Sequence, residues 1–261
     1  VYKRQFLNKD KELFENCIEQ IPYINSILKS VVGADVFSET TDRFHFKNIL
    51  PSYLFNKFEG QIDTGKMMST LLRKAHSQGI RILNNCEMLQ FSEIKNKVEI
   101  NTKQFDFKSS NLLLATNGFA QQMVEGDLSP ARAQVLITKP IKELHIQGTF
   151  HLDRGYYYFR NINNRILFGG GRNLDFKTEE TLEFGQTEII QDRLERLLRE
   201  TILPEIDFSI DHRWSGIMGV GSQKKPIVKQ LGNRVYCGVR LGGMGVAIGS
   251  SVGKELADLV S

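Results

Sequence analysis

The sequence predicts two architectures that interleave along one chain: an incomplete α/β domain with a parallel sheet, and an α+β domain built on an antiparallel sheet. Three observations carry this prediction. Asn111–Ala115 is a continuous apolar run, the pattern of a strand buried on both faces. Arg234–Val239 reads as a second strand, followed by the glycine-rich turn Leu241–Gly245 and a helix over Val246–Val260 with Val252, Leu256 and Leu259 on one face. Between these lie four short strand-like segments with hairpin links and then a helix, which is an antiparallel pattern.

The elements follow in order. Phe6–Lys29 reads as a helix whose loose stripe of Leu13, Ile18, Ile21 and Ile24 is broken by Pro22. Val36–Phe58, with Phe37, Phe44, Phe46, Tyr53 and Phe55 near alternate positions, reads as strand and loop. Asp63-Thr64 caps a helix with apolar positions Met67, Met68, Leu71, Leu72 and Ala75, and Gly79 stands where a C-terminal cap is expected. Ile80–Leu83 reads as a short strand, and Met88–Phe91, Val98–Asn101 and Phe105–Phe107 as an antiparallel meander. The apolar run at 111–115 ends in a turn at Thr116–Gly118. Arg132–Lys139, Thr149–Leu152, Gly155–Arg160 and Arg165–Gly170 read as strands, with Asn163-Asn164 as the turn between the last two. A helix over Thr187–Thr201 carries Ile189, Ile190, Leu194, Leu197 and Leu198, and Ile206–Met218 is mixed strand and loop.

Composition narrows the class. In 261 residues, 41% are hydrophobic and 25% charged, so a sizeable core is expected rather than disorder. The net charge of +4 is spread along the chain, which describes a solvated surface rather than a nucleic-acid footprint. Cys17, Cys86 and Cys237 lie far apart, and the five histidines show no metal spacing, so neither a metal site nor a disulfide framework is expected. A reducing, cytoplasmic location follows, and no apolar run approaches the ~20 residues of a membrane-spanning helix. Val1–Gln5 reads like translated sequencing-library adaptor and is expected to be an artefact on a truncated gene.

Gly243-Met-Gly245-Val-Ala-Ile-Gly249 has the look of a dinucleotide fingerprint, but only twelve residues follow Gly249. A complete βαβ unit needs ~30 residues and an acidic residue ~20 positions on. The turn is therefore not the ADP-binding motif. It can instead bring free amides and a helix N-terminus to a group that gains negative charge, or it can be a tight strand–helix turn alone.

The segment Tyr236-Cys-Gly-Val-Arg-Leu-Gly-Gly-Met-Gly-Val-Ala-Ile-Gly-Ser-Ser-Val-Gly-Lys-Glu-Leu-Ala-Asp-Leu259 resembles the closing motif of the D-amino-acid oxidase, glycine oxidase and sarcosine oxidase superfamily. Gly60-Gln-Ile-Asp63, Leu112-Leu-Leu-Ala-Thr-Asn-Gly118 and Pro130-Ala-Arg-Ala-Gln-Val135 resemble other segments of that family, in its order, so the match covers the chain from about Gly60 onward. The resemblance implies a Rossmann-like FAD-binding α/β domain, here incomplete, and an α+β antiparallel-sheet substrate domain lying over the flavin. It assigns residues 1–59 and 126–211 to the substrate domain and 60–125 and 212–261 to the FAD domain. It implies that Leu241, Gly242, Gly243, Met244, Gly245 and Val246 face the flavin's pyrimidine edge, with Arg240 also among the cofactor-binding residues. Glu87 and Met88 match the adenine-contacting strand, and Thr116, Asn117 and Gly118 the turn beside the phosphates and ribitol. The GxGxxG unit is absent, so this stretch is expected to bind FAD poorly, or not at all, by itself. Some sarcosine oxidases tether flavin through a cysteine; Ser215-Gly216 stands there in this chain, so the FAD is expected to be non-covalent.

On the substrate side, Arg213–Met218 resembles the segment over the flavin's re-face pocket. Glycine oxidase has an arginine where Met218 falls, and a thioether cannot hold a carboxylate. Either another cation among Arg132, Arg160, Arg213 and Arg240 takes over, or the substrate is an amine without an α-carboxylate. Tyr157 and Trp214 are candidate pocket walls, with Arg132 and Met218 beside them; each has an alternative role in packing or surface ion pairs. Lys224 and Lys225 are expected to be solvated. The implied reaction oxidises a C–N bond by hydride transfer to flavin, with no dedicated catalytic base. A hydroxy-acid or glycerophosphate dehydrogenase on the same scaffold, and a non-catalytic member, are the alternatives.

Overall fold

The computed structural model describes residues 4–260. In chain order the elements are β1 (Arg4–Leu7), α1 (Lys11–Val32), β2 (Phe37–Thr41), β3 (Ser52–Asn56), α2 (Thr64–Ser77), β4 (Met88–Ile94), β5 (Lys97–Thr102), β6 (Asp106–Ser109), β7 (Leu112–Leu114), β8 (Ser129–Thr138), β9 (Thr149–Leu152), β10 (Tyr157–Ile162), β11 (Arg165–Gly170), α3 (Glu188–Leu197), β12 (Ile210–Val220), β13 (Ile227–Gln230), β14 (Val235–Val239) and α4 (Gly245–Asp258). They fall into two compact units: residues 1–62, 133–179 and 184–216, and residues 63–132, 180–183 and 217–261. The chain thus passes between units after Ile62, Arg132, Glu179, Glu183 and Gly216, where crossings at 60, 126 and 212 are expected from the sequence.

The first unit is organised by an eight-stranded sheet in the order β12-β8-β11-β10-β9-β1-β3-β2. Its neighbours pair antiparallel from β8 to β9 and from β1 to β2, while β1 and β9 run parallel. Strand alternation sends Leu136, Phe150, Phe159 and Phe168 to one face, where each is at most 2% exposed. There Phe150 stacks on Phe159 at 4.6 Å, and Phe46 meets both rings edge-on. Such ring pairs add about 0.5–1.5 kcal/mol each beyond the area they bury. Ile190, Leu194 and Leu197 of α3 cover the same core. Asn163 and Asn164 both take left-handed φ values, 48° and 56°, as a two-residue hairpin turn requires.

Several expectations are corrected here. Phe6 lies in β1, and the first helix begins at Lys11, where the Asp10 carboxylate accepts from the Leu13 amide at 3.1 Å. Pro22 does not end that helix; the missing donor is one bond in 22 residues, and the buried Asn25 side chain ties the following turn to the backbone of Val36 and Phe37. Its Ile24 is exposed. Arg4 and Gln5, expected to be extraneous, lie within β1, which pairs with β9, and Gln5 is 1% exposed; Val1–Lys3 lie outside the described residues. The helix over 187–201 is regular only to Leu197, with a wider π turn over Leu198–Ile202, and Ile189 is exposed.

The second unit holds a sheet in the order β13-β14-β7, with β7 parallel to β14, and the antiparallel meander β4-β5-β6. Val98, Ile100, Leu114, Val235, Cys237 and Val239 form its core. Val252 and Leu256 of α4 lie against Gly238, where a Cβ would come within 3.0 Å of Leu256. The Glu93 carboxylate accepts from the amides of Asn233 and Arg234, fastening the meander to the turn before β14.

Here too the outcome differs from expectation. The Asp63 cap of α2 forms, accepting from the Lys66 amide at 3.0 Å, and Gly79 has φ 78°. Yet the apolar stripe of α2 stays open: Met68, Leu71 and Leu72 are 46–52% exposed. Ile80–Leu83 forms no strand, because no neighbouring strand exchanges hydrogen bonds with it among the described residues. Leu113 of β7 is 40% exposed, so that strand is buried on one face only, and Leu259 beyond α4 is 43% exposed.

Two substitutions separate the finished from the unfinished packing. A Cβ at Gly170, φ 123°, would stand 2.0 Å from the Tyr156 carbonyl oxygen. Gly170→Ala is expected to cost about 3 kcal/mol or more, read as a lower denaturation midpoint. Leu71→Gln on α2 is expected to change stability by less than about 0.5 kcal/mol. A large loss there would show that the α2 stripe is packed after all.

Candidate functional site

The parallel strands β7 and β14 end side by side, and the turns that leave them define the site. In an open α/β sheet this carboxyl edge is where ligands bind. After β7, Asn117 takes a left-handed φ of 51° at the start of a 3-10 turn over Asn117–Gln122. After β14, Arg240 and Gly242 are also left-handed, at 62° and 57°. The Asn117 Oδ1 accepts from the Leu241 amide at 3.0 Å and joins the two turns. The end of β12 closes the group, because Gly242 donates to the Gly219 carbonyl at 2.9 Å. A Cβ on Gly118 would stand 2.5 Å from the Met218 carbonyl oxygen, and one on Gly219 would stand 2.6 Å from Asn117 Oδ1. Three backbones therefore meet at distances that side chains would forbid.

The other side of the bend is bare. At Gly242 and Gly243 nothing lies within 4 Å of a Cβ position, and Met244 and Val246 are exposed. No side chain caps α4, whose first amides lack intrahelical acceptors. The bend thus presents donors and the positive end of a 14-residue helix to open space.

Arg240 does something other than expected. Its guanidinium donates to the Lys225 carbonyl at 2.8 Å, to the Asp127 carbonyl at 2.8 Å and to the Asp127 carboxylate at 3.0 Å. The Ser222 hydroxyl and amide also donate to that carboxylate and, with Arg240, hold Asp127 below the usual carboxylate range. The Arg240 side chain is thus a clamp on the 221–226 loop. Asp127 and Ser222 escaped sequence reasoning; their only local signal is the Gly126-Asp127 turn.

The remaining candidates are dispersed. Thr116 is exposed beside Asn117 and Gly118. Glu87 pairs with Lys103 at 2.8 Å on the rim of a recess of about 540 Å³ that Leu83, Asn84, Asn85 and Cys86 also line, while Met88 packs against the core. Met218 contributes its carbonyl to the meeting of backbones. Arg132 is buried and its guanidinium reaches the Glu183 carbonyl at 3.5 Å. In the first unit, Trp214 is 38% exposed and lies beside His212. Tyr157, expected as a pocket wall, is 2% exposed and packs beside Phe168 and Gly171 in the core. Alternation on β10 turns Tyr158 outward instead. Among the described residues no group of His, Cys, Asp and Glu could hold a metal, and no helix is long and apolar enough to cross a membrane.

Comparison with known proteins places this arrangement. No curated protein sequence matches. Among solved structures, L-proline dehydrogenase from P. horikoshii is 18% identical with a TM-score of 0.79, over 100% of this chain and 72% of that one. Glycine oxidase from Geobacillus kaustophilus is 15% identical with a TM-score of 0.82, over 99% of this chain and 70% of that one. L-α-glycerophosphate oxidase from Mycoplasma pneumoniae, with FAD bound, is 14% identical with a TM-score of 0.76, over 99% and 72%. These likenesses show the fold. The family model described as FAD dependent oxidoreductase matches residues 28–259, and the chain belongs to that family, the FAD-dependent flavoproteins of the D-amino-acid oxidase type.

Proposed function

We propose that this chain is the larger part of a cytoplasmic flavoenzyme that oxidises the C–N bond of an amine or amino acid. The observation that carries the reading is the bare, amide-lined bend before α4. An isoalloxazine ring fits it chemically: Gly242 and Gly243 allow close approach to the backbone, and the helix end favours an edge that gains negative charge. Leu241–Val246 would hold the pyrimidine edge, Thr116–Gly118 the ribitol and phosphates, and Glu87 and Met88 the adenine. Bound there, FAD supplies the acceptor for a hydride from the carbon that bears nitrogen. The chain's own part is to orient the ring, through the Asn117–Leu241 bond and the glycine contacts, and to lower the cost of charge at its edge.

Two further observations support the reading. Cys237 is fully buried in β14 and burial pushes its thiol up, so it is unsuited to tethering flavin and the FAD is held non-covalently. The exposed stripe of α2, the outer edge of β7 and the unpaired Ile80–Leu83 are each left open, whereas parallel sheets are normally covered on both faces. An ADP-binding segment outside this sequence is the cover that fits, and this chain by itself should bind FAD weakly or not at all.

The test uses a protein that carries this chain behind an ADP-binding segment. Its purified form should be yellow, lose free FAD on denaturation, and be bleached anaerobically by amines or amino acids. Bleaching by hydroxy acids or glycerophosphate alone would replace the C–N reading with the dehydrogenase one. A colourless, correctly folded protein would leave a non-catalytic binding role. In the same protein Asn117→Ala should weaken FAD about tenfold, or about 1.4 kcal/mol, because the Leu241 amide loses its acceptor. Native Cys237 should resist alkylation until the protein unfolds; rapid labelling of folded protein would contradict its burial.

A further inference from the structure

We propose that Asp127 is a positioning residue: through Arg240 it holds the bend after β14 in the geometry that favours a reduced flavin over an oxidised one. This rests on the flavin placement above and on no choice of substrate. Arg240 begins the bend, and its φ of 62° lies in the left-handed region. Glycine enters that region freely, but a residue with a side chain stays there only where its surroundings hold it. Here they do. Its Nε donates to the Lys225 carbonyl at 2.8 Å, and its Nη1 donates to the Asp127 carbonyl at 2.8 Å and to the Asp127 carboxylate at 3.0 Å. The carboxylate is itself fixed, because Oδ2 accepts from the Ser222 amide at 2.8 Å and from the Ser222 hydroxyl at 2.6 Å. Gly221 forms the seat: a Cβ there would stand 2.5 Å from the Asp127 carbonyl oxygen and 2.8 Å from Arg240 Cδ. Asp127, the 221–225 segment and Arg240 all belong to the second unit.

The bend is therefore gripped at two successive residues by independent means: the side chain of Arg240 by Asp127 and Lys225, and the amide of Leu241 by Asn117. Gly242 and Gly243 have no neighbouring side chain to set their direction, so they take it from the anchored residues before them. An amide dipole stabilises charge only along the line in which it points. A small rotation of the bend thus weakens its hold on a charged ring without removing any donor. The Ser222 hydroxyl and amide, with Arg240, lower the Asp127 carboxyl below its ordinary range, so at neutral pH it is an acceptor in this network and never a donor. Its charge is spent on the guanidinium beside it, and its influence on the bend is mechanical.

The midpoint potential of the FAD-loaded protein, measured against a reference dye, tests this alongside its affinity for oxidised FAD. Arg240→Lys keeps both charges, but a single ammonium has no fork with which to reach Lys225 and Asp127 together. The potential should fall by about 30 mV, a tenfold weaker preference for the reduced ring. Ser222→Ala also keeps both charges and should shift the potential the same way by less; it carries the test if Arg240→Lys does not fold. Asp127→Asn keeps a carbonyl oxygen that accepts from Ser222 and Arg240, and should leave the potential near that of the unaltered protein. Unchanged potentials in Arg240→Lys and Ser222→Ala, whatever happens to stability or FAD affinity, would overturn the proposal while the yellow unaltered protein keeps the flavin reading standing. A rise with Asp127→Asn would assign the effect to charge instead of position and overturn it equally. A folded but colourless unaltered protein would remove the flavin reading itself.

Discussion

The close approach of three backbones at Gly118, Gly219 and Gly242 is the constraint on which the rest of the second unit depends. Met218 O would lie 2.5 Å from a Cβ at Gly118, far inside van der Waals contact, so any side chain there would push β12 from β7. The Asn117 side chain is aimed at the Leu241 amide by its own left-handed backbone. One residue thus converts the end of β7 into a support for the turn after β14. Because the support is made from below, through Asn117 and Gly219, the upper side of Gly242 and Gly243 is left clear. A bend stabilised by side chains packed on both sides would be equally tight and chemically mute.

The two units differ in how far their packing is finished. The first buries a core of aromatic rings between a sheet and α3, and its large apolar side chains on the core face are almost fully enclosed. The second has a small closed core around Val98, Leu114 and Cys237, surrounded by apolar side chains that face water. Met68, Leu71 and Leu72 follow a helical stripe, and a stripe of that kind stabilises only against a partner. The same logic explains Ile80–Leu83: an extended apolar segment becomes a strand only when another strand satisfies its backbone.

Much of this was legible in the sequence because it is local. The Asp63 cap, the left-handed Gly79, the Asn163-Asn164 turn and the glycine bend each announce themselves within a few residues. Pairing is less local but still patterned, although in the meander β4-β5-β6 only β5 alternates cleanly between buried and open positions. What could not be read depends on partners far along the chain. Alternation says that Tyr157 and Tyr158 face opposite ways, but which side meets α3 is decided by a helix some thirty residues later. The Arg240 clamp joins residues 113 positions apart, and nothing around Asp127 advertises it. Pro22 misled for the opposite reason: a strong local rule lost to the tertiary anchoring of Asn25.

The electrostatics divide along the same line. Arginine side chains are long and cationic, and in this chain they stabilise the fold: Arg240 fastens a loop, Arg213 ties β12 to α3, and Arg165 joins β11 to Asp211. A guanidinium with a carboxylate partner contributes little field beyond a few ångströms, since the pair is close to neutral. The start of α4, which no side chain caps, offers a positive end of another kind, the backbone's own. It cannot swing away, it does not titrate, and its position is set by the glycine contacts beneath it. Charge that must be stabilised in one place is better served by such fixed dipoles than by a mobile cation, whose reorganisation would add to the barrier. On this division these arginines hold the structure together, and the peptide dipoles at the start of α4 are left open.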